Sequence, residues 1–146
     1  MSQPADFLPT VQALVQCYQA FAAYSAADVR ALGLTPPQFD IVATLGNTHG
    51  MTATELGERT LITKGTLTGV VDRLIERGWV ERIAHGSDRR CQIIRLTKSG
   101  EALFARAFPT HMAHLGACFA GTGAAEHKRW QNALRTLEQA FRKEQP

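Results

Sequence analysis

The chain has 146 residues, 45% hydrophobic and 20% charged, with a formal net charge of +3. It is too apolar to be disordered and long enough to bury a core without disulfides or metals. No apolar run approaches the ~18 residues of a membrane span, and the first residues, MSQPADFLPT, lack the basic and apolar regions of a secretory signal.

From about Pro9 to Ala31, Val11, Leu14, Val15, Tyr18, Phe21, Ala22 and Val29 recur at the spacing of a helix with one buried stripe. Gly33 stops it. Thr35-Pro36-Pro37-Gln38 reads as a capping box that opens a second helix over Phe39, Val42 and Leu45. Thr52-Ala53-Thr54-Glu55 reads as another, opening a short helix to about Thr60. Thr63 is an expected N-cap for a helix to Arg77, with Leu67, Val70, Val71, Leu74 and Ile75 on one face and Gly78 at its C-terminus. Two capped helices so closely joined form a helix-turn-helix.

Residues 79–83 and 91–96 are strand-like, and the turn-rich His85-Gly86-Ser87-Asp88-Arg89-Arg90 lies between them. A helix-turn-helix followed by a hairpin with a basic tip is a winged helix. A long helix then carries Leu103, Phe104, Phe108, Met112, Leu115 and Phe119, with Pro109 expected to kink it. After Gly121-Thr122-Gly123, a last helix carries Trp130, Ala133, Leu134, Leu137 and Phe141. The fold class is mainly α with a small β-hairpin wing.

Charge is unevenly placed. Residues 1–58 sum to −4, 59–98 to +5 and 99–146 to +2. A basic centre between less basic flanks suits a polyanion-binding surface, although it also describes an ordinary solvated face. In the second helix of the pair, the side opposite Leu67 carries Gly65, Thr66, Gly69, Asp72 and Arg73, while Thr63 and Lys64 sit at the N-terminal turn, where free amides attract a phosphate. Each helical glycine forfeits ~1 kcal/mol relative to alanine. Two facing outward suggest either close approach of a ligand to the backbone or plain tolerance. The wing arginines, Arg89 and Arg90, suit the narrow minor groove. Asp88 either aims a neighbouring guanidinium or merely starts a turn.

LGLTPPQF (32–39), TATELGERTLITKGTLTGVVDRLIERGWVER (52–82) and SDRRCQIIRLTKSGEAL (87–103) together resemble the multiple antibiotic resistance regulators, the MarR family. The resemblance implies a homodimeric regulator of transcription that binds double-stranded DNA and is typically released by a small effector. It implies that Arg90 is the minor-groove arginine and Asp88 its holder, and that Thr63, Lys64, Thr66, Thr68 and Arg73 face DNA bases or phosphates. Some relatives carry a base-reading arginine where this chain has Gly69, so their operator preference does not transfer. On this reading the chain is a single domain over 1–146. The winged helix-turn-helix occupies 36–98, with the helix pair at about 52–77 and the wing at about 79–97. Residues 1–32 and 99–146 form the helical dimerisation region, through Leu8, Val11, Val15, Trp130, Leu134, Leu137 and Phe141.

No serine sits in a nucleophile-elbow setting and no glycine loop has phosphate-cradling spacing, so an enzyme is not expected, nor is a cofactor. An organic effector, an aromatic acid or a phenol, is expected between the dimerisation region and the winged helix. Tyr18, Tyr24 and Phe39 are candidate walls, and Arg30 or Arg82 a candidate carboxylate partner, although each aromatic could equally be core. Two other triggers stay open: oxidation of Cys17, or a metal on His111, His114 and Cys118, which share a helical face without an evident carboxylate. Cys17, Cys91 and Cys118 are odd in number and widely spaced, which fits a reducing cytoplasm rather than a disulfide framework.

Overall fold

A computed structural model describes residues 6–86 and 88–146, excepting the side chains of His85, Asp88, Arg89 and Arg90. Helices α1 (Leu8–Ala31), α2 (Pro36–Leu45), α3 (Ala53–Thr60) and α4 (Lys64–Glu76) precede strands β1 (Val80–His85) and β2 (Asp88–Leu96). Helices α5 (Lys98–Ala117) and α6 (Ala124–Arg142) follow. The chain divides into two compact units, Met1–His114 and Leu115–Pro146.

The expected stops and starts are built from identifiable contacts. Thr35 accepts from the Gln38 amide at 3.3 Å while the Gln38 side chain accepts from the Thr35 amide at 3.1 Å, a complete capping box. Thr52 accepts from the Glu55 amide at 3.2 Å. Gly78 adopts φ +78°. Its amide bonds the Ile75 carbonyl and that of Trp79 bonds the Leu74 carbonyl, the Schellman pair that ends α4. Gly33, at φ +82°, ends α1 in the same left-handed conformation.

The first unit has one core. Val29, Phe39, Ile41, Val42, Leu45, Leu56, Leu67, Val71 and Leu74 pack with Val80, Ile94, Leu96, Leu103, Phe104 and Ala107. The stripes expected on α2 and α4 supply much of it. β1 and β2 pair antiparallel in the register Val80↔Leu96 to Ala84↔Gln92, with an irregularity before His85↔Asp88. The strands therefore run further toward the tip than the turn-rich composition of 85–90 suggested. Met51 adds a third edge by exchanging backbone hydrogen bonds with Ile94 at 2.8 and 3.0 Å. Thr97 ties wing to helix: its hydroxyl donates to the Gly78 carbonyl at 2.6 Å and accepts from the Gly100 amide at 3.0 Å. Gly100 passes so close to the Trp79 carbonyl that a Cβ there would collide with it.

One expectation about α1 needs correction. Only Ala26 and Val29 of this helix are buried. Leu8, Val15, Tyr18 and Phe21 are exposed, and Val11 is half-buried. The apolar stripe is present but covers the chain's own core only near the C-terminal end of the helix. In the second unit α6 buries no residue: Trp130, Leu134 and Phe141 are exposed and Leu137 is half-buried. Helix α5 continues through Pro109. Among the described residues no helix is long and apolar enough to cross a membrane.

Candidate nucleic-acid interface

Helix α4 is held from beneath. Leu67, Val71 and Leu74 are buried, and the helix packs on α2, α3 and β1. Its opposite face is exposed at Gly65, Thr66, Thr68, Gly69, Asp72 and Arg73. A Cβ at Gly65 or Gly69 would meet nothing within 4 Å. Neither glycine is therefore demanded by packing within the chain, and the backbone itself is presented to solvent.

The start of α4 differs from the expected cap. Thr63 occupies the N-cap position but makes no side-chain cap hydrogen bond. Its hydroxyl donates to Thr66 Oγ1 at 3.1 Å. The Thr63 side chain thus does not cap the first turn, where the Thr66 amide bonds the Thr63 carbonyl at 3.0 Å, and the positive end of the helix dipole lies beside Lys64. A cleft of about 330 Å³, lined by Ala53, Thr54, Gly57, Glu58, Ile62, Lys64 and Leu67, separates α3 from this turn.

The structure sorts the basic residues of 59–98. Arg82 Nη2 holds Asp72 Oδ1 at 2.7 Å, and Arg95 Nε holds Glu81 Oε1 at 2.7 Å. Arg77 lies over the Trp79 ring at 3.8 Å and donates to the Gly33 carbonyl at 2.9 Å. These are surface contacts that brace the wing stem. Arg59, Lys64 and Arg73 are exposed, and among the described residues none of them is in an ion pair. Among the described residues, the cations of this segment outside ion pairs and ring contacts are Arg59 on α3, Lys64 and Arg73 on α4, and Lys98 at the start of α5. Asp72, read from the sequence as part of the outward face, serves to anchor Arg82. Thr63, Lys64, Gly65, Thr66, Thr68, Gly69 and Arg73 are brought together on one exposed surface. The wing-tip side chains of Asp88, Arg89 and Arg90 lie outside the described residues.

The expected effector residues are placed less uniformly. Tyr24 stacks on His114 with ring centroids 4.0 Å apart, and Phe39 tilts against His111 at 4.4 Å. The two histidine rings are 6.1 Å apart, so Tyr24 and Phe39 belong to one aromatic row where α1, α2 and α5 meet. Phe39 is buried, Tyr18 is exposed, and Arg30 is exposed in the last turn of α1. Arg82, expected beside them, is instead held by Asp72.

The same junction contains a polar set that the sequence did not reveal. His111 is buried, and its Nδ1 lies 2.8 Å from Asp28 Oδ2. With that proton donated to the carboxylate, Nε2 accepts from the Ser25 hydroxyl at 3.3 Å. Burial pushes the nearby Asp40 carboxyl above its ordinary range, a rise that His111 opposes only in its protonated form. Hydroxyl, imidazole and carboxylate here stand in the order of a hydrolase triad. Ser25, however, lies mid-helix in α1, where the backbone amides are spent on helical hydrogen bonds and cannot form an oxyanion hole. The set pins α5 to α1. His114 reinforces it, with Nε2 bonded to the Tyr24 carbonyl at 2.9 Å and Tyr24 Oη to the His114 carbonyl at 2.8 Å.

These contacts also revise the metal and redox expectations. A carboxylate, Asp28, does lie beside His111, contrary to the sequence reading. Cys118 falls beyond the end of α5 and is exposed. Among the described residues no group of three or more His, Cys, Asp or Glu side chains is placed to hold a metal ion. Cys17 is exposed and Cys91 half-buried, both as free thiols.

The fold and site together define a winged helix-turn-helix whose second helix presents Lys64, Thr66, Thr68 and Arg73 on an exposed face. A family model described as "MarR family" matches residues 32–90. The HTH-type transcriptional repressor YetL of Bacillus subtilis is 36% identical over 87 residues, which cover 58% of this chain and 52% of that protein. The homoprotocatechuate degradative operon repressor of Escherichia coli is 36% identical over 95 residues, covering 65% of this chain and 64% of its own length. The chain thus spans between half and two thirds of these relatives. A solved structure of Bordetella bronchiseptica BpsR, concerned with regulation of its DNA binding by 6-hydroxynicotinic acid, superposes with a TM-score of 0.77 at 25% identity. It covers 89% of this chain and 98% of its own. Over residues 32–90 the chain thus resembles the MarR family of winged-helix transcriptional regulators.

Proposed function

We propose that the chain is a transcriptional repressor in the cytoplasm, binding a near-palindromic operator in double-stranded DNA as a homodimer. The observation that carries this is the outer face of α4, where Lys64, Thr66, Thr68 and Arg73 surround a glycine backbone that packing leaves open. Such a face admits the edge of a DNA groove, with hydroxyls and amides for phosphates and arginine for phosphates or bases. Two-fold symmetry places half-site centres about 10 bp apart. Arg89 and Arg90 enter the adjoining minor groove, and Asp88 aims Arg90 by a charge-assisted pair.

The effector is an aromatic acid or phenol. Two observations favour that class: the aromatic row of Tyr24, His114, His111 and Phe39 at the α1–α2–α5 junction, and the hydroxylated aromatic acid that acts on BpsR. Such a ligand opposes DNA binding only through its differential affinity for the two forms, with a coupling of ~1–3 kcal/mol per site.

Arg90→Ala and Asp88→Ala test the DNA reading by titration of operator duplex. Arg90→Ala is expected to weaken binding by about 1–3 kcal/mol per protomer with thermal stability unchanged. Asp88→Ala removes a negative charge, which by bulk electrostatics favours DNA. Weaker binding by that variant supports the aiming role, and tighter binding refutes it.

A further inference from the structure

Leu61 sits between α3 and α4 with φ +60°, in the left-handed region that costs an L-residue with a side chain. Every other described residue with positive φ is glycine or Asn47. Those are the residue types that adopt this conformation at little cost. The chain thus carries a leucine where the turn itself asks for glycine or asparagine.

The side chain gains nothing inside the protein. Leu61 is 85% exposed, the most exposed of the large hydrophobics described. The others lie in or near α1, α5 and α6. Leu61 alone belongs to the helix-turn-helix, separate from the apolar faces of the terminal helices. Half-buried Thr60 and Ile62 flank it in the chain, and the exposed residues nearest in sequence include Arg59 in the last turn of α3 and Thr63 and Lys64 at the start of α4. A strained, exposed leucine among cations fits a polyanion that also offers an apolar group. Duplex DNA is such a polyanion, and in its major groove the apolar group is the 5-methyl of thymine.

We propose that Leu61 is a DNA-contacting residue that packs on a thymine methyl group in each half-site, next to the bases faced by α4. The inference rests on the DNA-binding reading above. The left-handed turn lifts the side chain off the chain's own core, so the apolar contact forms only in the complex. The residue therefore contributes to sequence preference at a position that hydrogen-bonding side chains do not read.

Fold and function are then expected to move in opposite directions. Leu61→Asn tolerates the left-handed turn and is expected to raise Tm by about 2–4 °C at fixed protein concentration. The test begins with an operator selected from random duplexes by the wild-type protein. On that operator Leu61→Asn is expected to bind about tenfold or more weakly, two leucines having lost their apolar contact. Replacing single thymines by uracil, which removes only the methyl, is expected to weaken wild-type binding at one symmetric position. The same replacement leaves Leu61→Asn unaffected. Equal affinity of Leu61→Asn and wild type overturns the proposal, as does weaker binding without a uracil-sensitive position. If the wild-type protein selects no sequence, the DNA-binding reading itself fails, and this inference falls with it.

Discussion

At the scale of single residues, glycines separate what the fold requires from what a ligand requires. Gly100 has the Trp79 carbonyl where a Cβ would stand. Alanine gains ~1 kcal/mol of helix propensity, but the collision is with backbone, which cannot swing aside. Gly100→Ala is therefore expected to destabilise by at least about 2 kcal/mol. Gly69 meets nothing. Gly69→Ala is expected to stabilise by up to ~1 kcal/mol while weakening DNA binding, because the added methyl stands between backbone and groove. Denaturation curves and duplex titrations on the two variants check both signs. Gly69 is legible in the sequence, since its helical position places it opposite Leu67. Gly100 is not, because its constraint comes from the Trp79 carbonyl just before β1, twenty-one positions back. Leu61 was hidden for a related reason: a left-handed leucine has no compositional signature, whereas a glycine in that place advertises a turn.

At the scale of elements, local signals were legible and pairings across the chain were not. The capping box at Thr35 and the Schellman pair at Gly78 depend on neighbours within a few residues, and both form as the sequence suggests. Thr63 has the right residue type for a cap, yet its hydroxyl turns to Thr66, a choice between two local partners that the sequence leaves open. The Arg82–Asp72 and His111–Asp28 pairs join different elements, and nothing in periodicity marks them. His111 is buried between α1 and α2 partners, so truncating it leaves Asp28 without its donor and Ser25 without its acceptor. His111→Ala is expected to cost about 2–4 kcal/mol, combining an unmet polar group with a small cavity. His114→Ala, which removes a half-buried ring bonded to a backbone carbonyl, is expected to cost about 1 kcal/mol. Urea denaturation of both variants at one protein concentration measures the difference. Equal losses would deny His111 its role as the pin between α1 and α5.

For the whole molecule, the apolar faces of the two units are what the proposed dimer would cover. Leu8, Val15, Tyr18 and Phe21 are exposed on α1, and Trp130, Leu134 and Phe141 on α6. Faces of this extent are rare on isolated chains and mark interaction surfaces. A second copy covers them in the proposed dimer, and Leu134→Glu together with Phe141→Glu is expected to yield monomers in sedimentation, with operator affinity lost because two half-sites are no longer read together. A wild-type monomer at all concentrations would contradict the proposed dimer. The division of charge supports the same arrangement. Arg82 and Arg95 are held in ion pairs, whereas Arg59, Lys64 and Arg73 stay exposed on α3 and α4. In the proposed complex, these residues together with the wing arginines would supply on the order of 8 phosphate contacts from two protomers. The most direct test of the account is the affinity for a selected operator and for random duplex of equal length, measured across a range of salt concentrations. The account predicts that log affinity for the operator falls against log salt with a slope of roughly −5 to −10, and that the operator is bound at least about a thousandfold more tightly than random duplex. A flat salt dependence, or equal affinity for the two duplexes, would contradict it.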